Sequence, residues 1–301
     1  MASFSTSAGA KHKRSLKIVF AMTASYLIIE VIVGFISNSL ALLSDAAHML
    51  TDVGGQALAL FAIWMTSRPR NNRKTYGYYR VEILSALTNA LVLIFISALI
   101  LFEAWERFKN PPAVAGIPML IVAFCGLIIN LISMKMLSEG SKESINIKGA
   151  FLEVVSDMLS SVGVIIAGVV ILATNWLYID PIMSALIGLF ILPRTFNLLK
   201  ESVDILLEAV PVDIDYGAVE KYILERPGVK SLHDLHIWTI TSGITALSSH
   251  IIMKEETSFS QINDVVSDIK LYLNSEFKIE HTTIEVHREK DAEFCLNKQN
   301  I

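Results

Sequence analysis

Ser44-Asp45-Ala46-Ala47-His48-Met49-Leu50-Thr51-Asp52 sets a histidine and two aspartates in the middle of a long apolar run. An ionisable group at the centre of a membrane helix costs at least about 2.5 kcal/mol, so such groups are rare and functional. His48 and Asp52 are four residues apart. On a helix that leaves them about 40° apart around the axis, on one face and one turn from each other. Glu153 and Asp157 repeat the spacing in a later apolar run. Two such pairs on facing helices would make a four-ligand cage inside a membrane.

Working outward, six apolar stretches are long enough to cross a bilayer core of about 30 Å, which takes about 20 helical residues. They are 16–37, 40–66, 81–103, 117–137, 147–173 and 178–198. The second and fifth carry the acidic pairs. Lys/Arg residues concentrate in the N-terminal tail (Lys11, Lys13, Arg14), in 68–80 (Arg68, Arg70, Arg73, Lys74, Arg80) and in the fourth-to-fifth loop (Lys142, Lys148). The opposite loops carry none apart from Arg107 and Lys109, so both termini are expected in the cytoplasm. Trp64, Trp105, Trp176 and Tyr178 fall near span ends, where interfacial aromatics belong.

Composition agrees with a membrane part joined to a water-soluble part. Of 301 residues 53% are hydrophobic, yet 18% are charged, and mean hydropathy is +0.52. A net charge of -4, with basic residues confined to short loops, gives no case for nucleic acid. Two cysteines, Cys125 and Cys295, do not make a disulfide framework. Residues 1–15 read as a cytoplasmic tail and not as a cleavable signal.

After Lys200 the pattern changes. Val210-Pro211 breaks the chain, and 213–226 reads as an amphipathic helix closed by Pro227-Gly228. Segments 229–240 and 244–253 are β-rich and joined through Thr241-Ser242-Gly243, 259–277 is helical again, and 281–287 alternates as a last strand. The expected fold is therefore a six-helix transmembrane bundle plus a C-terminal cytoplasmic α-β-β-α-β domain. The divisions are a tail at 1–15, the transmembrane domain at 16–208, a metal-binding and dimerisation domain at 209–290, and a C-terminal tail at 291–301. A module this small suggests pairing with a second copy.

Imidazole and carboxylate groups converging at tetrahedral distances suit zinc, while cobalt, manganese, iron and cadmium are not excluded by ligand type. Asp45 either lines the approach to the cage or caps its helix. Glu30, Asn89 and Asn130 read as interhelical hydrogen-bonding groups. In the soluble module strict strand alternation puts Asp234, His236 and Trp238 on one face and His233 on the other. His250 on the neighbouring strand could face this set, with Glu285 or His287 completing a second metal site. By spacing alone, exposed or interface histidines fit equally well.

Residues 39–52, Ser-Leu-Ala-Leu-Leu-Ser-Asp-Ala-Ala-His-Met-Leu-Thr-Asp, resemble the cation diffusion facilitator family, as do Lys-Thr-Tyr-Gly-Tyr-Tyr-Arg-Val-Glu (74–82) and Leu-His-Asp-Leu-His-Ile-Trp (232–238). The likeness is to the bacterial zinc/cadmium/cobalt efflux branch and spans nearly the whole chain. It implies a homodimeric divalent-metal/proton antiporter of the inner (plasma) membrane, with both termini cytoplasmic, that exports zinc by alternating access. Zn2+ would be the transported ion and also a regulatory one. The transport ligands would be His48, Asp52 and Asp157, with Glu153 at a position where zinc transporters of the family carry histidine. Three carboxylates and one imidazole make a harder site, which gives weight to manganese or iron(II). His236, His250 and Glu285 match positions that bind regulatory zinc. Cys295 matches one of a terminal cysteine pair, with Ala292 at the other position and Asp291 or His287 available in its place.

Two other classes share the intramembrane carboxylates. An intramembrane metalloenzyme or protease would want several histidine pairs in or beside the spans, or a Gly-x-Gly-Asp motif, and neither is present. A membrane-tethered metal sensor would bind metal without moving it.

Overall fold

The computed structural model describes residues 11–36, 40–109, 117–174, 176 and 178–289. The chain divides into two compact units, Met1–Val203 and Asp204–Ile301.

The first unit is built from long helices: α1 (Lys13–Ile36), α2 (Leu40–Thr66), α3 (Arg80–Lys109), α4 (Ile117–Leu137), α5 (Ile145–Thr174) and α6 (Ile179–Leu206). A one-turn helix, Gly140–Glu143, precedes α5. At 1.5 Å per residue even the shortest, 21 residues, runs about 31 Å, a hydrocarbon core's thickness. α3 and α6 continue past their apolar stretches into charged residues such as Glu106, Lys109 and Glu201. Pro193 sits inside α6, where it removes one helical hydrogen bond.

The distribution of side chains says what solvent this bundle was made for. Ile28, Ile29, Phe95, Phe102, Ile121 and Phe124 are exposed, whereas Thr23, Asp52, Gln56, Ser85, Asn89 and Glu153 are buried. A protein surrounded by water cannot keep so many large apolar groups outside without associating. Surrounded by lipid it must, and its polar groups must turn inward. Aromatic side chains mark the edges of the apolar belt. Arg68 lies 4.0 Å over the Trp64 ring, and Phe108 and Tyr178 meet edge to face at 5.4 Å.

One end of the bundle is tied together by packing and polar contacts. Leu16 of α1, Ile63 of α2, Leu137 of α4 and Ile147 of α5 share a buried cluster. Asn146 donates to the Ala59 carbonyl at 2.9 Å, Ser144 Oγ donates to Glu82 Oε1 at 2.5 Å, and Lys148 pairs with Glu201. His12 Nε2 lies 3.2 Å from Glu143 Oε2. The start of α1, the end of α2, the start of α3, the α4–α5 connection and the end of α6 therefore lie at one end, from which the chain continues into the second unit.

In the second unit α7 (Tyr216–Leu224) is capped by Asp215, which accepts from the Ala218 amide. Strands β1 (Val229–Thr241), β2 (Ile244–Met253) and β3 (Ile279–Arg288) form one sheet in that order. β1 and β2 are an antiparallel hairpin turning at Gly243, whose φ is 77°. β2 and β3 are parallel, so the chain must cross over between them. It does so through α8 (Phe259–Phe277), whose start carries a Ser258/Gln261 capping box. Val219 and Ile223 of α7 and Ile262, Ile269 and Leu273 of α8 pack on the face of the sheet that presents Leu235, Ile237, Leu247 and Ile251. Tyr222 stacks on Tyr272 with ring centroids 3.5 Å apart, and Arg226 pairs with Asp268 at 3.2 Å, joining the two helices. The opposite face carries His233, His236, Ser248 and His250 together with Trp238 and the buried Ala246 and Ile252.

The expected six long helices and the α-β-β-α-β order are both present. One expectation is corrected. The β1 register shifts between His233 and His236, and Asp234 adopts a φ of 50°. This bulge inserts a residue and reverses the alternation. His233 therefore shares the outer face with His236, instead of pointing away from it.

Candidate metal centres

Inside the bundle α2, α3 and α5 bring polar groups to one place. Asp52 is 4% exposed and Glu153 is 2% exposed. Glu153 lies against the backbone of α2 one turn beyond Asp52: a Cβ placed on Gly55 would stand 2.3 Å from Glu153 Oε1 and 2.8 Å from Oε2. The same Cβ would be 2.7 Å from Asn89 Oδ1, and a Cβ on Gly149 would be 3.1 Å from Asn89 Nδ2. Asn89 of α3 thus fits between two helices that have no side chain at the contact points. Asp157, one turn on from Glu153, is half-buried. Both Asp52 and Asp157 act electrostatically on Glu153. Glu153 Oε2 is buried with no hydrogen-bond partner among the described residues.

Buried carboxylates crowded in this way need a cation or protons for compensation. Oxygen donors of this kind suit a divalent cation, although the three carboxylates do not close to within 4.8 Å of one another here. Of the four expected ligands, Asp52 and Asp157 each act on Glu153. The side chain of His48 lies outside the described residues, as do those of Asp45 and Glu30. One turn further along α2, Gln56 Oε1 accepts from Thr23 Oγ1 at 2.7 Å.

Two parts of this environment were not singled out as belonging to the site. Asn89 is visible in the sequence as a polar residue in a span and reads there as a hydrogen-bonding group. Gly55 carried no signal, because a glycine in an apolar helix does not say which neighbour needs its space.

In the second unit the outer face of the sheet gathers histidines in rows. His233 pairs with His250 across β1 and β2, and His250 pairs with Glu285 across β2 and β3. His250 Nε2 is 3.5 Å from Glu285 Oε2, and His287 Nε2 is 3.2 Å from Glu285 Oε1. His287 Nε2 is buried, and its approach to the carboxylate is not aligned as a hydrogen bond. The His250 and His287 rings are 5.6 Å apart. Among the described residues this is the one group of three whose donor atoms all lie within 4.8 Å of one another. An imidazole pair facing one carboxylate is a ligand set that zinc accepts. His236, also expected here, stands opposite Ser248 outside that group and is exposed. His233 contacts Ser231 Oγ at 3.0 Å. Asp291, Ala292 and Cys295 lie outside the described residues.

Comparison with known proteins agrees with both halves. Residues 16–207 match the cation efflux transmembrane domain, and residues 211–289 match the cation efflux protein cytoplasmic domain. The metal cation efflux system protein CzcD of Cupriavidus metallidurans is 50% identical over 91% of this chain and 86% of its own. The cadmium, cobalt and zinc/H(+)-K(+) antiporter of Bacillus subtilis is 42% identical over 95% of this chain and 94% of its own. The zinc transporter ZitB of Escherichia coli is 39% identical over 91% and 87%. A solved structure of the metal-bound C-terminal domain of the CzcD transporter is 42% identical, covering 25% of this chain and 99% of that one at a TM-score of 0.23. With its helical membrane domain, its cytoplasmic α-β-β-α-β domain and relatives along nearly its full length, this chain belongs to the cation efflux family.

Proposed function

We propose that this protein exports zinc, with cadmium and cobalt as further substrates, in exchange for protons. The carrying observation is the buried Glu153 carboxylate set against Gly55 and Asn89, with the buried Asp52 and the half-buried Asp157 acting on it electrostatically. His48 completes the ligand set from α2, one turn before Asp52. Relatives named as zinc, cadmium and cobalt transporters support the cargo, and the Bacillus subtilis relative's name supplies proton and potassium exchange.

Cytoplasmic metal enters between α2 and α5 and displaces protons from the carboxylates. The metal-loaded and protonated forms favour different conformations, and a ligand shifts a conformational equilibrium by its differential affinity for the two states. Alternation between an inward-open and an outward-open arrangement then exchanges one for the other. The chain's own residues hold the cargo, keep the carboxylates apart from lipid and exchange protons at Asp52, Glu153 and Asp157.

The domain division is 1–15, 16–208, 209–290 and 291–301, with both termini cytoplasmic in an inner (plasma) membrane. The cytoplasmic domain pairs two protomers and takes up a regulatory zinc at His250 and Glu285. His287 joins these, and His236 is placed on the same face. The direct test of the transport site is metal uptake into vesicles by wild type and Asp157→Ala. The proposal expects uptake to fall to background in the variant, and undiminished uptake would sink it.

A further inference from the structure

A groove of about 570 Å³ runs along the outside of α1 against Ile129 of α4. Its residues on α1 recur at positions 14, 17, 18, 21, 22, 25, 26 and 29, the spacing of a single helical stripe. The stripe changes character along its length. Arg14 and Lys17 lie at one end, and Ile18, Met22, Ile29 and Ile129 line the rest. The polar groups in the apolar part have partners: Ser25 Oγ donates to the Ala21 carbonyl at 2.6 Å, and Tyr26 has its own contact.

Two basic side chains at this end are ion-paired, Lys11 with Glu143 and Lys148 with Glu201. Arg14 and Lys17 make no ion pair among the described residues. They sit at the end of the bundle from which the chain enters its cytoplasmic domain, where the facing leaflet supplies anionic headgroups. From Arg14 to Ile29 the helix rises about 22 Å. One leaflet's hydrocarbon plus its headgroup layer comes to about 21 Å.

We propose that this groove is a binding site for an acidic phospholipid of the cytoplasmic leaflet. The phosphate group pairs with Arg14 and Lys17, and one acyl chain lies along Ile18, Met22 and Ile29 against Ile129. The positive-inside rule accounts for basic residues at this end, and what sets Arg14 and Lys17 apart from the others is that they line the head of an apolar channel. The occupant is a lipid and not a soluble phosphate compound, because most of the groove offers only hydrocarbon contact.

The full-length protein is reconstituted in nanodiscs of phosphatidylethanolamine and phosphatidylglycerol at 3:1, and the lipids retained on release are weighed by native mass spectrometry. Wild type is expected to retain phosphatidylglycerol enriched at least about fivefold over the bulk ratio, the factor for one basic contact at a membrane surface, with two such contacts available. Arg14→Gln/Lys17→Gln returns the ratio to bulk. Met22→Trp, which fills the channel without changing charge, lowers the total lipid retained. Arg70→Gln/Arg73→Gln, in the exposed loop after α2 at the same end, keeps the wild-type ratio. Enrichment that survives Arg14→Gln/Lys17→Gln overturns the proposal. So does equal loss in the loop variant, or Met22→Trp changing the dimer fraction and leaving bound lipid unaltered.

Discussion

Glu153 rests directly on the backbone of Gly55: a methyl group at that glycine would lie 2.3 Å from Glu153 Oε1. The absence of a side chain on α2 is therefore what lets a carboxylate of α5 reach the site. Gly55→Ala should push Glu153 and Asn89 aside, at a cost of about 1–3 kcal/mol for overpacking, and reduce zinc uptake about tenfold or more. Gly54→Ala meets nothing within 4 Å and should transport like wild type. Uptake in vesicles, with thermal unfolding of both variants as the control for folding, checks the pair.

Asn89 sits between Gly55 and Gly149, its oxygen toward one and its nitrogen toward the other. Asn89→Leu keeps much of the volume but removes both polar atoms beside buried carboxylates, which costs about 1–3 kcal/mol where a buried group loses its partner. Transport should fall about tenfold, while Asn130→Leu, at a buried position on α4, should lose stability without a matching loss of metal affinity. Zinc binding by calorimetry on the full chain distinguishes the two.

Glu153 makes the site harder than one with histidine at that place. In proteoliposomes, Glu153→His should raise the preference for zinc over manganese, as a nitrogen donor replaces oxygen. A metal panel with zinc, cadmium, cobalt, manganese and iron measures the order in both proteins. An unchanged order would refute the hardness argument.

The cytoplasmic group can be separated from the transport site by the same metal titration. His287→Ala removes a donor atom that lies 3.2 Å from Glu285 Oε1. It should weaken one class of zinc sites by about 10- to 100-fold, on the scale seen even for outer-shell losses, and leave the intramembrane class in place. His236→Ala, outside that cluster, should weaken it less.

His12 donates to Glu143, and this hydrogen bond, before any charge effect, holds the Glu143 carboxyl below its ordinary value of 4.5. A depressed folded-state value means that the contact contributes at pH above the unfolded carboxylate's pKa. The contribution is lost as pH falls through the lower folded value. His12→Ala should move the Glu143 titration upward, read by carbon NMR of a selectively labelled carboxyl.

Much of this was legible before any coordinates. The bounds of α2, α4 and α8 coincide with the apolar or amphipathic periodicity, because Ser67-Arg68-Pro69 and the Ser258 cap end or begin those segments sharply. α3 and α6 outrun their apolar stretches because hydropathy detects where lipid begins, whereas a helix can continue into water through Glu106, Lys109 and Glu201. The β1 bulge at Asp234 was not legible from strict alternation, although an aspartate inside a strand is one of the few residues that tolerates positive φ. Asn89 needed the tertiary structure, since only the facing glycines of two other helices reveal where it fits.

The most direct test of the account is proton movement driven by metal. Proteoliposomes holding a pH-sensitive dye receive a zinc pulse, with wild type compared against Asp52→Asn and Asp157→Asn. The account predicts a zinc-dependent proton flux in wild type, opposite in direction to the metal, and none above protein-free vesicles in either variant. Zinc uptake without proton flux in wild type, or flux that persists in both variants, would contradict it.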